Sequence, residues 1–145
     1  MMNQFMDIAL EQARRALVKG EVPVGAVIVR QGEVISQAHN EAQFSGDMRA
    51  HAEMRAIDEA LGLLGKRRLA ECEIYVTLEP CPMCAWAIRL SRIKRVIYGA
   101  ADYEYGACGS VYNFSPSGEG VFTLGGIRER ECADLLKEFF RTKRE

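Results

Sequence analysis

The sequence predicts an α/β fold: three layers, α/β/α, built on a mixed, mostly parallel five-stranded sheet with an N-terminal hairpin. Three observations predict it. Short β-branched runs alternate with amphipathic helical stretches, the pattern of crossover units. The first two runs are separated only by Gln31-Gly32, a two-residue hairpin turn. The first of these runs is apolar at nearly every position, as a strand covered on both faces must be.

The elements follow in order. Phe5, Ile8, Ala9, Ala13, Ala16 and Leu17 recur at helical spacing, and Gly20 stops that helix. Val24 to Val29 reads as a buried strand and Glu33 to Ser36 as its hairpin partner. Asn40 to Arg49 is polar and reads as a loop. A helix runs from about Ala50 to Leu64, with Ala56, Ile57, Ala60, Leu61 and Leu64 inward. After Lys66-Arg67-Arg68 come a strand at Glu73 to Leu78, a helix at Pro82 to Leu90 and a strand at Arg95 to Tyr98. Tyr103 to Gly120 is irregular, with one helical turn near Val111. Val121 to Leu124 is a short strand, and Arg130 to Phe140 closes the chain with Cys132, Leu135, Leu136, Phe139 and Phe140 on its buried stripe.

Composition excludes several classes. A chain of 145 residues, 48% hydrophobic and 27% charged, has the size and core of one domain, here residues 1–145. It is not a disordered chain, a coiled coil or a disulfide-stapled miniprotein. With 19 Lys and Arg against 20 Asp and Glu it is no strongly basic coat for nucleic acid, although a local basic face is compatible. The N-terminus lacks a basic and then apolar leader, and Val22 to Val29, broken by Pro23 and Gly25, is far short of the ~20 residues of a membrane span. A cytoplasmic protein without membrane contact is expected. Its five cysteines then read as reduced ligands or small core residues.

Two fragments carry chemistry: His51-Ala52-Glu53 and Pro80-Cys81-Pro82-Met83-Cys84. Cys81 and Cys84 are three apart at a helix start, so both sulfurs point to one side. Helix N-terminal amides favour thiolates. One histidine and two cysteines make three ligands, the count of a catalytic zinc whose fourth position holds water. Glu53, two residues past His51, lies within reach of that position and suits proton transfer. Alone, C-x-x-C equally fits a redox pair or a structural zinc half-site, and H-x-E is most often an exposed helix start. Their conjunction, each at a predicted helix start, favours one zinc per chain with Glu53 as the catalytic acid and base.

With these residues in view, the chain resembles the cytidine-deaminase-like superfamily of zinc deaminases, whose H-x-E…P-C-x-x-C signature it carries. Within it the chain is similar to the bacterial tRNA-specific adenosine deaminases. The similarity runs through Gly20 to Val27, Ala50 to Glu53, Val76 to Ala85, Ser91 to Ile93, Tyr98 to Ala100, Gly106 to Ser110 and the Glu131 to Phe140 helix. It implies conversion of adenosine to inosine at the wobble position of a tRNA anticodon loop, a homodimer, and no organic cofactor. It also implies substrate contacts by Asn40 to the purine edge, Val24 in the base pocket, the Ala52 backbone facing the ring, and Asp102 on a sugar. Simpler roles stand beside three of these: an Asx turn for Asn40, core packing for Val24 and a helix cap for Asp102.

Three departures touch the substrate side. Glu104, between Tyr103 and Tyr105, replaces a lysine common in the family; the Ser115 to Gly120 segment is short and lacks an Asn-His pair; and Trp86 stands where small residues are usual. Two alternatives therefore remain: a deaminase of a free base or nucleoside such as guanine or cytosine, and a non-catalytic zinc-stabilised RNA-binding module. The latter needs a fourth protein ligand. Cys72 is the nearest spare thiol, and it falls at the far end of the preceding strand.

Overall fold

The computed structural model describes residues 1–114 and 122–143, without the side chains of residues 66–68. The Ser115 to Gly120 segment, Val121 and the Lys66-Arg67-Arg68 side chains thus lie outside the described residues. Helix α1 spans Met2–Val18, strand β1 Gly25–Arg30 and strand β2 Glu33–His39. A one-turn helix α2, Ala42–Ser45, interrupts the expected loop and ends on Gly46 in the left-handed conformation. Helix α3 is Ala52–Leu64, followed by a 3₁₀ turn at Lys66–Glu71, strand β3 at Cys72–Leu78, helix α4 at Pro82–Leu90 and strand β4 at Arg95–Ala100. Strand β5 is Phe122–Leu124 and helix α5 is Glu129–Lys143. No helical turn forms at Val111; Cys108 and Asn113 pair instead as a single bridge across that bend.

The sheet order is β2-β1-β3-β4-β5. Strand β1 is antiparallel to both β2 and β3, and the β3–β4 and β4–β5 pairs are parallel. Four strands therefore run one way and β1 alone is reversed, which is the mixed, mostly parallel sheet expected. Alternation then sorts the layers. Ala26, Ile28, Ile74 and Val76 face a core shared with Ala52, Ala56 and Ala60 of α3 and Ala85 and Ile88 of α4. Val27, Val29, Tyr75 and Ile97 face Phe5, Met6, Ala9 and Leu10 of α1 and Cys132 of α5. Both faces are covered, so β1 is buried without interruption from Gly25 to Val29.

Gly25 shows how closely α1 lies on β1. A Cβ there would stand 1.9 Å from the Ala9 carbonyl oxygen and 2.7 Å from the Ala13 nitrogen, both backbone atoms. Gly25→Ala should therefore push the helix off the sheet and destabilise the protein by roughly 2–3 kcal/mol. In a thermal melt that is a fall of about 5–10 °C for a domain of this size; an unchanged Tm would contradict this packing.

The reversal of β1 builds the site. The N-terminal end of β1 meets the C-terminal ends of β2, β3 and β4, where open α/β sheets form their crevice. The Asn40 N–H donates to the Val24 carbonyl at 3.1 Å, and the Gly25 N–H to Thr77 Oγ1 at 3.1 Å. The Glu79 N–H donates to the Ala100 carbonyl at 2.8 Å. Four chain segments thus converge at one edge. Among the described residues no helix is long and apolar enough to cross a membrane.

Candidate active site

His51 and Cys81 occupy equivalent places. Each has an extended backbone (φ −72° and ψ 155°; φ −73° and ψ 171°) and sits immediately before a helix, α3 and α4 respectively. Pro82 fixes the first turn of α4, where its missing N–H costs nothing. Cys84 then projects from that same turn, fully buried. The result is three donor atoms within 4.8 Å of one another. His51 Nδ1 lies 3.7 Å from Cys81 Sγ and 3.4 Å from Cys84 Sγ.

These distances fit zinc. Ordinary Zn–N and Zn–S bonds at tetrahedral angles place nitrogen and sulfur about 3.6 Å apart. Among the described residues no fourth His, Cys, Asp or Glu joins the group. Cys72 opens β3 opposite Arg30, a strand length of roughly 20 Å from the site. The set is that of an open, catalytic zinc site rather than a closed structural one.

Electrostatics suit the same ion. The Cys81 thiol is lowered to about 4, first by the hydrogen bond from Cys84 and further by that from His51. Cys84 moves up, first because its thiol proton bonds to Cys81 and then because burial disfavours the thiolate. His51 is raised chiefly by its hydrogen bond to Cys81. A thiolate thus forms readily here, and a bound metal ion would displace the remaining proton.

Glu53 lies in the first turn of α3 and is 4% exposed. Burial pushes its carboxyl up to about 7, with the Cys81 charge adding to the effect. A group poised near neutrality both accepts and returns protons efficiently. It opens on a cleft of about 880 Å³ that His51, Cys81, Val24, Asn40, Ala52 and Asp102 also line. Every residue singled out in the sequence for substrate contact therefore reaches one cavity, together with Glu53 and two of the three metal ligands; Cys84 lies behind its wall.

Asn40 also performs the simpler role, whereas no helix follows Asp102, which closes a turn instead of capping a helix. Asn40 Oδ1 accepts from the Ala42 N–H at 3.1 Å, an Asx turn, and its Nδ2 donates to the Val22 carbonyl at 3.4 Å. Asp102 Oδ1 accepts from the N–H groups of Glu104 and Tyr105, both at 3.0 Å. Each side chain is thereby fixed at the cleft wall.

Sequence reasoning missed the residues that hold this wall. Glu79, 1% exposed, collects the N–H groups of Asp102 at 3.1 Å, Cys108 at 2.9 Å and Ser110 at 3.1 Å. Glu21 takes those of Gln43 at 2.9 Å and Phe44 at 2.6 Å, tying α2 to the end of α1. Phe140, expected in the core, is 51% exposed and forms part of the cleft rim with Leu136. Helical period places it at the edge of the α5 stripe, and no neighbouring layer extends over it.

Beneath Asn40 runs a polar chain. The Lys19 ammonium can only donate, so at 3.2 Å it makes His39 Nε2 an acceptor, and His39 Nδ1–H donates to Gln12 Oε1 at 2.9 Å. Gln12 Nε2 donates onward to Gln37 at 2.9 Å. Arg55 of α3 donates to the His39 carbonyl at 2.6 Å and pairs with Glu41 at 3.5 Å. Burial, and then the Lys19 charge, lower the His39 pKa, outweighing the Glu41 carboxylate 3.3 Å from Nε2, which raises it. A depressed histidine contributes stability that is present above its unfolded pKa of ~6.5 and is lost as pH falls below it. His39→Gln should therefore flatten the loss of Tm between pH 7.5 and 5.5; an unaltered slope would contradict the neutral ring.

Comparison with known proteins agrees with this geometry. Residues 1–100 match the family model described as the cytidine and deoxycytidylate deaminase zinc-binding region. A tRNA-specific adenosine deaminase of Aquifex aeolicus is 47% identical over 142 residues, covering 97% of this chain and 94% of that protein. One of Bacillus subtilis is 45% identical over 146 residues, covering 97% and 89%. A solved structure from work on A-to-I editing by tRNA:A34 deaminases at the wobble position superposes with a TM-score of 0.86 at 43% identity, covering 92% of this chain and 99% of that one. By these matches the chain belongs to the zinc-dependent deaminases that carry the cytidine and deoxycytidylate deaminase zinc-binding region.

Proposed function

We propose that this protein, as one deaminase domain over residues 1–145, hydrolyses adenosine to inosine at the wobble position of a tRNA anticodon loop. The observation that carries the reading is the buried Glu53 beside His51, Cys81 and Cys84 at the floor of a cleft large enough for a nucleotide. Near full-length identity to tRNA-specific adenosine deaminases supports the substrate. His51, Cys81 and Cys84 would hold a zinc ion, which when bound would lower the pKa of the attacking water towards ~7.

The chain's own residues do the rest. Glu53 accepts the proton of the attacking water, which adds at C6 of the adenine. The carboxyl passes that proton to N1; it then takes the remaining proton from the new C6 hydroxyl and gives it to the amine, so that the C6–N bond breaks as the C6 carbonyl forms, one water entering and one ammonia leaving. The Asn40 amide and the Ala52 backbone hold the base edge, Val24 packs on the base, and Asp102 stands at the sugar. A loop base is already partly unstacked, so extruding it costs less than the few kcal/mol needed in a duplex. The reaction requires no membrane and no organic cofactor, and a cytoplasmic setting suits both substrate and reduced thiols.

A homodimer is part of the proposal. Trp86 and Leu90 of α4 are exposed, as is Tyr112; the Trp86 ring stands edge-on to Phe114 at 6.0 Å, the Tyr112 ring lies 6.1 Å from Phe114, and the Arg89 guanidinium is 5.5 Å from the Trp86 centroid. Apolar rings grouped in this way favour burial against a second copy.

The test is a panel of anticodon stem-loops, free bases and nucleosides with ammonia as readout. Release from a stem-loop carrying adenosine at the wobble position, with affinity falling as salt rises, supports the reading. Brisk, salt-independent turnover of free guanine or cytosine, with no inosine in any loop, overturns it.

A further inference from the structure

The Tyr103-Glu104-Tyr105 turn at the cleft mouth has no part in the chemistry above, yet it is built with care. Both rings lie in the open, Tyr103 83% and Tyr105 57% exposed. Both line the same cleft as Glu53. Exposed aromatic rings grouped at the mouth of a site are apolar surface awaiting a partner.

The turn beneath them is rigid. Besides the two N–H groups that Asp102 Oδ1 accepts, the Gly106 N–H closes onto the Asp102 carbonyl at 2.9 Å. The Asp102 N–H is itself anchored on buried Glu79. A Cβ on Gly106 would stand 2.5 Å from the Glu79 carboxyl carbon, so the glycine lets turn and anchor close together. Tyrosines on a fixed turn lose little conformational freedom when they bind.

Glu104 selects which side of a nucleic acid they meet. The Glu104 carboxylate, on the same turn and lining the same cleft, repels phosphate, whereas every base offers a π-face to a tyrosine. The cleft of about 880 Å³ is also larger than one nucleobase requires.

We propose that Tyr103 and Tyr105 form a stacking platform for the bases flanking the target nucleotide in a single-stranded RNA loop. This inference rests on the RNA reading above and deepens it. Where a lysine would hold the strand by its phosphates, this chain holds it by its bases. The pair therefore contributes affinity that is insensitive to salt.

The experiment uses the zinc-loaded protein carrying Glu53→Gln, so that bound RNA is not turned over, and a synthetic anticodon stem-loop. Tyr103→Ala and Tyr105→Ala should each weaken Kd on the order of tenfold, while Tyr→Phe at either position should stay within about twofold of the parent. Salt dependence should keep its slope in all four variants. A stem-loop with abasic sites on both sides of the target should bind the parent more weakly and be indifferent to the alanine variants. Alanine variants that bind the intact loop as tightly as the parent, or that lose the same factor on the abasic loop, would overturn the platform. Inosine formation by the wild-type protein in the intact loop, measured in parallel, separates the two ideas. If inosine forms and the rings prove indifferent, the platform alone fails; if no loop is deaminated, the RNA reading fails and takes the platform with it.

Discussion

Glu53→Gln is expected to abolish turnover while leaving fold and metal intact. The amide matches the carboxyl in shape, and Glu53 is not one of the three donor residues grouped for the ion. Zinc content should stay at one per chain. What disappears is a buried acid able to take a proton from water and give it to a leaving amine. A positioned acid and base contributes ~10²–10⁴-fold to such reactions. Here both directions of transfer pass through one group, so activity should fall at least to the upper end of that range. Elemental analysis and a turnover assay on the same sample decide the matter. Substantial residual activity, or loss of zinc with the substitution, would mean that Glu53 has another role.

Removal of a ligand should be as damaging by a different route. Cys81→Ser replaces a sulfur held close to the thiolate state by a hydroxyl that does not ionise at neutral pH. Zinc content should drop from one per chain towards zero after dialysis against a chelator that leaves the wild type loaded. Without the ion, water keeps its bulk pKa of 15.7 rather than ~7, and turnover should fall beyond detection. Cys81 is half-buried at a helix start rather than within the core, so the fold should survive, as circular dichroism would report. Cys72→Ser, far along β3, should leave zinc content at one per chain. Loss of zinc from the Cys72 variant would contradict the three-ligand site.

The two predictions concern the residues that were most legible in the sequence. His51, Glu53, Cys81 and Cys84 are few, chemically specific and fixed by local spacing at two helix starts, so short-range geometry alone brings the right atoms to one side. The layers were legible too, because continuous apolar runs in strands demand cover on both faces. Strand direction was less so. Periodicity identifies β1 as a strand and the short turn makes β2 antiparallel to it, but nothing local states that β3 adds to the other edge of β1. That one reversal is what delivers Val24 and Asn40 to the cleft.

Glu79 was illegible for a related reason. Its partners at Asp102, Cys108 and Ser110 lie more than twenty residues on, in a segment whose glycines gave no periodic signal. A carboxylate directly before Pro80-Cys81 was the available hint, since so short a link to a ligand leaves it little room to reach solvent. Asn40 and Asp102 were ambiguous because a short polar side chain can close a turn and line a cavity at once, and both do so. Phe140 misled through helical period, which marks a stripe but not how far the neighbouring layer extends over it.

Isotope labelling tests the central claim most directly. The zinc-loaded protein is incubated in ¹⁸O-water with an anticodon stem-loop carrying adenosine at the wobble position, and the nucleosides are analysed by mass. Hydrolytic deamination through Glu53 predicts inosine with one ¹⁸O at C6 and one ammonia released for each inosine formed. Inosine without the label, or an unchanged loop while free guanine or cytosine is deaminated under the same conditions, would contradict it.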